Sequence, residues 1–551
     1  MTLDRICRAA FDARAWVRQT HRVYTSIARR IWWWKLDAAF ARHLSLPSSS
    51  DGIAVLVDGF WDNPNHFFRI RVFLEGVPAG KRQQLTALLR TPHDRSRKTL
   101  EALGFTRFFC LSDTPVTEAD HEAAAHLLGG VRNHRDLLTI KLPAELPPDI
   151  FYDTALKLAK HPQPPLDSPV WAECLADNFR LHRFYRKVFG AVDVGYLVLS
   201  HPWKNEFGVA LWEGLSRKIP CFHLNAMYEV MRIRRFDSHD DFFVPVEAIS
   251  GADFDALPEA VQSAVAEAGL AYLEERATAG SNTDINQVMA YRNQQSGNEL
   301  RPRFNIPATR PVILVCCHVW YDFPHSFGMR NFTDFRDWIE AVLAAAFVKD
   351  NVTWLIKPHP TESWYGGFCL CELIGNPPDH VYVLPEDVSV SAALDIASAV
   401  VTVHGTVAVE ATVRGIPVLC ADKSLYSDWG FATTAVSRTD FLDWLDKVET
   451  LPVPDSVQIS HASAFAYLAV GPGEPDTGLL RFPADHVSPM KIFSNLLALT
   501  TAGGDVVSRQ GQLISSWVNS GTKSFAVFHK LRKFIHEVKL PEMKKGKSRY
   551  A

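Results

Sequence analysis

The sequence lacks long apolar runs and any grouping of metal-binding side chains. None of its apolar stretches approaches the roughly 18–20 residues of a membrane-spanning helix, and charged residues interrupt the N-terminus where a signal peptide would carry its apolar core. The nine cysteines are scattered without a CxxC pair, which is typical neither of a disulfide framework nor of a structural zinc site. We therefore expect a cytoplasmic protein of a reducing compartment that uses no metal and no other cofactor.

The sequence also lacks an excess of positive or negative charge. The 58 Lys and Arg residues nearly balance the 61 Asp and Glu residues, for a formal net charge of −3. No broad positive field would attract nucleic acid, so we expect no nucleic-acid partner. The chain is 551 residues long and 47% hydrophobic, which is typical of a globular protein with two or more domains.

The motifs of three common site types are absent from the sequence as well. There is no GxGxxG and no GxxxxGK[ST] pattern, so neither the usual dinucleotide site nor a P-loop is predicted. No GxSxG pattern marks a serine nucleophile. Any nucleotide site in this chain must therefore be built from other residues.

What the sequence does contain is a series of unbroken apolar segments that alternate with helical stretches in both halves, typical of buried parallel strands. The predicted strands of the first half lie at 53–60, 107–112, 196–200 and 219–224, and those of the second half at 311–319, 352–359, 380–385, 399–405 and 416–421. The polar segment 277–310 separates the halves. We predict two α/β domains that face each other across a cleft, with ligands beyond the carboxyl ends of the strands.

The two halves share the short pattern E-x3-R-x-I-P. Glu213 and Glu410 are each followed by Arg, Ile and Pro at the same offsets. The preceding turns differ in length, because His201 lies 12 residues before Glu213, whereas His404 lies 6 residues before Glu410. Helix-to-strand junctions often reuse such residues, so coincidence is an alternative. The equivalent place of the pattern in each half favours two similar domains.

The segment Lys357-Pro-His359-Pro follows a predicted strand of the second half. The flanking prolines fix the backbone and remove hydrogen-bond donors. An ammonium and an imidazole together suit a phosphate or diphosphate leaving group, with Lys357 as a point charge and His359 as a directed donor. The alternative is that the segment is only a rigid turn.

The turn His404-Gly405-Thr406 follows another predicted strand and precedes a short helix. Thr406 can cap that helix, whose first N–H groups would attract an oxyanion. Glu410 lies one turn further along, where its carboxylate can accept from ribose hydroxyls. The alternative for Glu410 is that a first-turn carboxylate only interacts with the helix dipole.

Three segments together resemble the capsule polysaccharide biosynthesis family, bacterial GT-B glycosyltransferases that include Kdo transferases. They are "HVWYDFPHSFG", "WLIKPHP" and "VTVHGTVAVEATVRGIPVLCADKSLYSDWGF", and the resemblance covers about Ile313 to Phe431. It implies a GT-B fold of two Rossmann-like domains with parallel sheets facing a central cleft, plus terminal helices. A nucleotide-sugar would bind the C-terminal half and an acceptor the N-terminal half. Related enzymes that use CMP-sugars carry a His-Pro motif for the donor phosphate, which His359-Pro360 matches.

Candidate catalytic carboxylates are Asp58 and Asp322. Some related enzymes have an acidic-acidic-Gly motif that supplies a base, and this sequence offers only Val57-Asp58-Gly59, without the first acid. Asp58 ends the first predicted strand and is the first choice for base or nucleophile, and Asp322 in "WYDFPH" is the second. A structural alternative exists for each, with Asp58 as a cap and Asp322 in a turn.

The resemblance predicts a glycosyltransferase of bacterial surface polysaccharide synthesis. Its donor would be a nucleotide-sugar, with CMP- or CDP-linked donors favoured and Kdo from CMP-Kdo as one candidate, and its acceptor a lipid-linked or free saccharide. Two alternatives stay open, a CDP-alditol-dependent polyol-phosphate transferase and a non-catalytic protein of polysaccharide binding or export. The sequence leaves the sugar, the acceptor and the stereochemical outcome open.

The two ends of the chain are more basic than its body. Residues 1–45 carry nine Lys and Arg against three Asp and include a tryptophan triplet, and the C-terminus is also rich in Lys and Arg. We predict that both ends rest on an anionic membrane surface, at the inner face of the cell membrane; solvated helix faces are the alternative. The predicted division of the chain is a basic helical segment 1–50, an acceptor domain 51–300, a nucleotide-sugar domain 301–480 and terminal helices 481–551.

Overall fold

The computed structural model describes residues 28–226, 228–244, 248–277, 297–362, 366–471, 480–482, 489–502 and 504–537. Within these ranges no helix is long and apolar enough to cross a membrane.

Twelve strands of the described chain form two six-stranded sheets. The strands of the first sheet are β1 Ala54–Asp58, β2 Gln84–Leu89, β3 Arg107–Cys110, β4 Val194–Leu199, β5 Cys221–Asn225 and β6 Arg232–Phe236. Those of the second sheet are β7 Val312–Cys316, β8 Thr353–Lys357, β9 Val381–Val383, β10 Ala399–Thr402, β11 Val418–Cys420 and β12 Thr433–Thr434.

Helices connect the strands and cover both faces of each sheet. Those before β7 are residues 28–43, Pro64–Gly76, Arg95–Ala102, Glu118–Leu128, His134–Leu137, Asp149–Ala159, Pro169–Ala191, Asn205–Ser216, His239–Phe243, Gly251–Asp255, Glu259–Ala277 and Gly297–Arg303. Those after β7 are Phe335–Val348, Cys371–Ile374, Val390–Leu394, Val407–Val413, Arg438–Asp446, Ser456–Phe465, Pro489–Ala502, Gly504–Ser520 and Phe525–Glu537.

Both sheets have the same strand order. The first runs β3-β2-β1-β4-β5-β6 and is parallel except for β6, and the second runs β12-β11-β10-β7-β8-β9 and is parallel throughout. Counted from its own first strand, each sheet has the order 3-2-1-4-5-6 of a Rossmann-like domain. The predicted fold of two Rossmann-like domains in a GT-B arrangement is confirmed. The order reverses between β1 and β4 and between β7 and β10, where such sheets bind ligands.

The strands are buried on both sides because consecutive side chains enter different apolar layers. In β1, Ala54 and Leu56 lie in one layer and Val55 and Val57 in the other. In the second sheet β7 alternates in the same way. This two-sided burial explains why the strands are continuous apolar runs in the sequence.

The chain enters the second domain earlier than the predicted boundary at residue 300. The helix Glu259–Ala277 packs in the core of the second domain through Val261 and Val265. The terminal helix Gly504–Ser520 returns to the first domain, where Ile514 and Trp517 join its core. The boundary is corrected to the neighbourhood of residue 248, because apolar side chains before the polar segment, not the segment itself, decide where the chain joins the second core.

The tryptophan triplet of the helix 28–43 does not face a single surface. Trp33 is 3% exposed and packs edge-on against Phe493 of a terminal helix, with ring centroids 5.1 Å apart. Trp34 is 70% exposed. The predicted membrane contact of residues 1–45 therefore does not extend to Trp33, because its ring belongs to the core of the first domain.

The basic C-terminal helix Phe525–Glu537 also directs a cation inward. Lys530 is 3% exposed, and its ammonium donates to three carbonyl groups between residues 467 and 471. A cation at the end of a helix satisfies carbonyls that have no partner within the helix. The remaining parts of the two basic ends, 1–27 and 538–551, lie outside the described residues.

Candidate nucleotide-binding site

A cavity of about 460 Å³ lies at the carboxyl ends of β7, β8 and β10. Five residues predicted from the sequence line it, namely Lys357, His359, Gly405, Thr406 and Glu410. Its position is the switch point of the second sheet, between β7 and β10. The fold therefore brings two segments that are distant in the sequence to one cavity, at the place where sheets of this order bind ligands.

His359 lines this cavity and uses one ring nitrogen within its own loop. Its Nδ1 accepts from the N–H of Thr361 at 3.2 Å and lies 2.9 Å from the hydroxyl of the same residue. Since Nδ1 is an acceptor, the proton of the neutral ring is on Nε2. Burial lowers the pKa of His359 to about 4, partly opposed by the charge of Asp322. Near pH 7 the ring is thus a neutral donor through Nε2.

Lys357 is the last residue of β8 and is 7% exposed. Burial lowers the pKa of its ammonium, and nearby thiols and the carboxylates of Glu386 and Asp387 oppose this effect. Its Nζ donates to the carbonyl of Pro385 at 3.2 Å. An ammonium has three donors, so Lys357 can bind an anion in the cavity while this bond persists.

Glu410 is paired with an arginine that the sequence analysis did not predict. Nη2 of Arg276 lies 3.2 Å from Oε1 of Glu410, and both residues are buried and line the cavity. Arg276 comes from the helix Glu259–Ala277, which the predicted boundary assigned to the other domain. In the sequence Arg276 follows two glutamates at the end of this helix. Nothing near it distinguishes it from an ordinary charged residue in contact with solvent.

The turn between β10 and the helix Val407–Val413 differs from the prediction at Thr406. Thr406 makes no side-chain cap hydrogen bond, because its backbone, with φ −63° and ψ −14°, is already helical. The predicted cap is therefore corrected. Gly405 is required for a different reason, since a Cβ there would lie 2.9 Å from Oγ1 of Thr402. The turn is packed closely against β10.

His404 does not line the cavity and instead belongs to an aromatic cluster beside it. Its ring lies 4.6 Å from that of His318, 5.6 Å from Phe327 and 5.7 Å from Phe335, measured between centroids. Burial lowers its pKa to about 3. His404 is thus a neutral packing residue of the turn.

The predicted catalytic carboxylate Asp58 is sealed in the first domain. It is 0% exposed and accepts from both the backbone N–H and the hydroxyl of Ser200. Burial raises the pKa of Asp58, but His66 and the two bonds from Ser200 outweigh burial and hold the pKa below its ordinary value. Asp58 is ionised but cannot touch a substrate, so its direct role as base or nucleophile is corrected.

Asp322, the other predicted carboxylate, takes part in a contact between the domains. Lys157, from the helix Asp149–Ala159 of the first domain, donates to Oδ1 of Asp322 at 3.0 Å. Asp322 does not line the cavity, although its charge acts on His359. Asp322 is thus tied to the first domain through Lys157.

The cysteines near the cavity are not reactive groups. Cys316 and Cys317 line it, and burial raises the pKa of Cys316 to about 12, so that it is a thiol near neutral pH.

Cys369 and Cys371 are joined by a disulfide, which the sequence did not predict. A turn before the helix Cys371–Ile374 brings their Cα atoms to 5.2 Å. Among the described residues there is no group of three metal-binding side chains.

Aromatic rings join the carboxyl ends of the two sheets across the cleft. Trp203, in the turn after β4, lies 5.8 Å from Phe323 and 4.7 Å from Phe327 of the second domain. Phe327 in turn contacts His404. The turn after β4 in the first domain therefore faces the turn after β10, which carries the candidate nucleotide site.

The chain matches no family model, and no curated protein matches it in sequence. Its structure is similar to several solved ones. Two are from KpsC of Thermosulfurimonas dismutans, a β-Kdo 2,4-transferase with 13% identity and a TM-score of 0.31, covering 51% of this chain and 85% of that one, and a β-Kdo 2,7-transferase with 16% identity and a TM-score of 0.26, covering 51% and 80%. A third is the UDP-GlcNAc 2-epimerase of Neisseria meningitidis bound to UDP-GlcNAc, with 12% identity and a TM-score of 0.23, covering 74% and 97%.

Proposed function

We propose that the protein is a glycosyltransferase that binds a nucleotide-activated sugar in the cavity at the switch point of its second sheet. The observation that carries this proposal is the convergence of Lys357, His359 and Glu410 on one cavity. Glycosyl transfer from a nucleotide needs stabilisation of the departing phosphate. A buried ammonium and a directed N–H donor supply that stabilisation.

Different residues of the cavity would bind the phosphate and the ribose of the donor. Lys357 and Nε2 of His359 would bind the phosphate, whose negative charge grows as its bond to the sugar breaks. Glu410 would accept from the ribose hydroxyls and is held in place by Arg276. The cavity is not uniformly basic, since Glu386 and Asp387 also line it, which favours a ligand with an anionic end and a neutral end.

For the finer identity we propose sugar transfer in the synthesis of a bacterial surface polysaccharide, with CMP-Kdo as the first donor to test. The sequence resemblance and the His359-Pro360 pair support a CMP-sugar. The acceptor, a lipid-linked or free saccharide, would lie on the side of the first domain, which meets the donor side through Trp203 and the Lys157–Asp322 pair.

A nucleotide panel tests the proposal. CMP, CDP and UDP are added to the full chain in a thermal-shift assay, since a ligand that binds only the folded protein raises its stability. Release of nucleotide from CMP-Kdo, CDP-glycerol and UDP-GlcNAc is then measured. We expect stabilisation by one nucleotide, lost in Lys357→Ala but kept in His126→Ala, an exposed histidine of the helix Glu118–Leu128. Turnover of CDP-glycerol alone would indicate an alditol-phosphate transferase, and binding without any turnover a non-catalytic protein.

We also propose that the N-terminal side of the first domain lies on an anionic membrane. A surface cavity there is lined by four cations and the exposed Trp34, against two carboxylates: Arg29, Arg30, Arg95 and Lys98 face it together with Asp37 and Asp62. Each cation near such a surface adds roughly 1 kcal/mol, screened over about 10 Å at moderate salt. Arg29→Glu/Arg30→Glu should bind phosphatidylserine vesicles more weakly than the wild type and remain active. Equal binding of both proteins would contradict this proposal.

A further inference from the structure

A polar network occupies the switch point of the first sheet, the counterpart of the donor cavity in the second. Asp58 ends β1, Ser200 and His201 follow β4, and His223 lies on β5. The hydroxyl of Ser200 donates to Oδ1 of Asp58 at 2.9 Å, and the Ser200 carbonyl lies 3.0 Å from Nε2 of His223. Nε2 of His66 lies 3.6 Å from Oδ2 of Asp58.

His201 is the only residue of this network whose side chain is partly exposed; the others are buried. Its Nδ1 lies 3.3 Å from Oγ of Ser200, and the structure gives Nε2 no hydrogen bond to any described residue. The ring is held between Trp61 and Phe207, with centroids 5.2 Å from each. His201 is partly exposed, whereas Asp58 and His66 are fully buried.

The network determines which nitrogen of His201 carries the proton. Asp58 is an ionised carboxylate and can only accept. The single proton of the Ser200 hydroxyl is therefore used toward Asp58, in the shorter and charge-assisted bond. The Ser200 oxygen is left to accept from His201, so Nδ1 of His201 carries the proton and Nε2 has the lone pair.

We propose that His201 is the general base that takes the proton of the acceptor hydroxyl, and that Ser200 and Asp58 are positioning residues that fix its tautomer. This inference rests on the proposed glycosyl transfer and names the group that acts on the acceptor. His201 lies two residues before Trp203, whose contact with Phe327 leads to the turn of the donor site. The turn that carries His201 therefore lies across the cleft from the turn of the proposed donor site.

The step balances without any further reactant. The acceptor O–H gives its proton to Nε2 of His201 while its oxygen forms a bond to the anomeric carbon of the sugar. The bond from that carbon to the phosphate oxygen breaks, and the nucleotide leaves with the electron pair, held by Lys357 and His359. The imidazolium formed at His201 is stabilised through Ser200 by the carboxylate of Asp58.

Charged and titratable groups around His201 decide the pH range in which it is a base. Burial lowers the pKa of His201 to about 4, while Asp58 and Glu206 oppose this effect and Lys204 and His66 add to it. The ring is therefore unprotonated near neutral pH. Its Nε2 is ready to accept over the whole range above its pKa.

The first test compares kcat of nucleotide release from CMP-Kdo, CDP-glycerol and UDP-GlcNAc with water as acceptor. His201→Gln should lower kcat by about 10²- to 10⁴-fold, the range for loss of a general base, with an unchanged KM for the donor. His126→Gln, on an exposed helix face, is the matched control. Unchanged kcat in His201→Gln, with the loss in His359→Ala retained, would overturn the inference and leave the proposed function standing. No release from any donor by the wild type would overturn both.

The second test separates positioning from a merely structural role. Ser200→Ala should lower kcat by about 5- to 10-fold, equivalent to one hydrogen bond. It should also move the acid limb of the pH–rate profile to lower pH, because the imidazolium loses its link to Asp58. An unmoved acid limb in a folded Ser200→Ala protein would contradict the assignment.

A measurement on the wild-type chain covers the case in which a variant fails to fold. With ¹⁵N-labelled histidine, the nitrogen shifts distinguish a protonated Nδ1 from a protonated Nε2 at neutral pH, and His201→Asn assigns the signal. We expect the Nδ1–H tautomer for His201, in contrast to the Nε2–H tautomer of His359. An Nε2–H tautomer at His201 would overturn the proposal whatever the kinetics.

Discussion

The two turns at the centre of the molecule share a sequence pattern and use it differently. In the first domain Glu213 is 2% exposed and accepts from His182 at 2.5 Å and from Arg217. In the second domain Glu410 borders the cavity and is paired with Arg276 from another part of the chain. One carboxylate is closed off by neighbours of its own domain, and the other faces a space that a ligand can occupy.

The arginines of the pattern show the same divergence. Arg217 donates to Glu213, four residues before it, whereas Arg414 donates to Ser391 and does not contact Glu410. The same local sequence thus gives an internal ion pair in one domain and leaves the glutamate to a distant partner in the other. Equivalent positions in a repeated fold have equivalent backbone roles, while the packing around them decides which one borders a cavity.

The largest expected effect is the loss of stability that follows removal of the buried carboxylate of Glu213. Glu213→Ala leaves the buried ring of His182 and the head of Arg217 without their acceptor, at a cost of about 3 kcal/mol, toward the lower end for buried pairs because Arg217 is partly exposed. The unfolding midpoint of the protein should fall by about 5–10 °C. Nucleotide affinity, measured at a temperature where the variant is folded, should not change. A loss of affinity at unchanged stability would place Glu213 in a ligand site and break the comparison.

His359 is expected to act on the rate of the reaction rather than on stability. His359→Ala removes a donor to a phosphate whose charge increases in the transition state, so kcat should fall more than KM rises. A hydrogen bond to a charged group is worth about 1.5–3 kcal/mol, equivalent to a loss of about 10- to 150-fold. Steady-state kinetics of nucleotide release measure it, with His126→Ala as control. An unchanged kcat would reduce the Lys-Pro-His-Pro segment to a rigid turn.

Glu410 should behave differently from Glu213 and from His359. The ribose hydroxyls do not change during the reaction, so Glu410→Gln should raise KM by about 5- to 10-fold, the value of one hydrogen bond, with a smaller change in kcat. Arg276→Gln should give a similar increase in KM, and the double variant should add little, because the two residues act as a pair. Additive effects of the two changes would show that Arg276 contacts the donor independently.

Much of this architecture could be predicted from the sequence because the buried strands are continuous apolar runs. Three strands were missed for local reasons. The edge strand β6, "RIRRF", is rich in arginine, β12 has only two residues, and β2, "QLTALL", is interrupted by the polar residues Gln84 and Thr86. Residues that line the cavity of the second domain could be picked out because they follow apolar runs directly, as His359 does.

The residues that the sequence did not reveal are those brought in by long-range packing. Arg276 reaches the cavity because its helix joins the second core, and nothing in its own neighbourhood indicates this. Asp58 was found as a carboxylate at the end of a strand, but its seclusion depends on Ser200 and His66, which lie elsewhere in the chain. Local patterns predicted the edge of each sheet that carries polar groups, and tertiary contacts decided which of these groups a substrate can reach.

The smallest expected effect concerns the neutral histidines that both turns carry. Burial lowers the pKa of His201 to about 4 and that of His404 to about 3, below the value of about 6.5 in an unfolded chain. Between these values the unfolded chain binds protons that the folded protein does not, so each ring stabilises the fold above pH 6.5, and this contribution is lost as the pH falls toward the folded pKa. Unfolding midpoints recorded from pH 7 to pH 4 should therefore fall more gently in His201→Gln and His404→Gln than in the wild type. His404→Gln should flatten the profile more, because the ring of His404 stays unprotonated to a lower pH than that of His201. Parallel profiles of the wild type and the two variants would show that these histidines do not make the stability depend on pH.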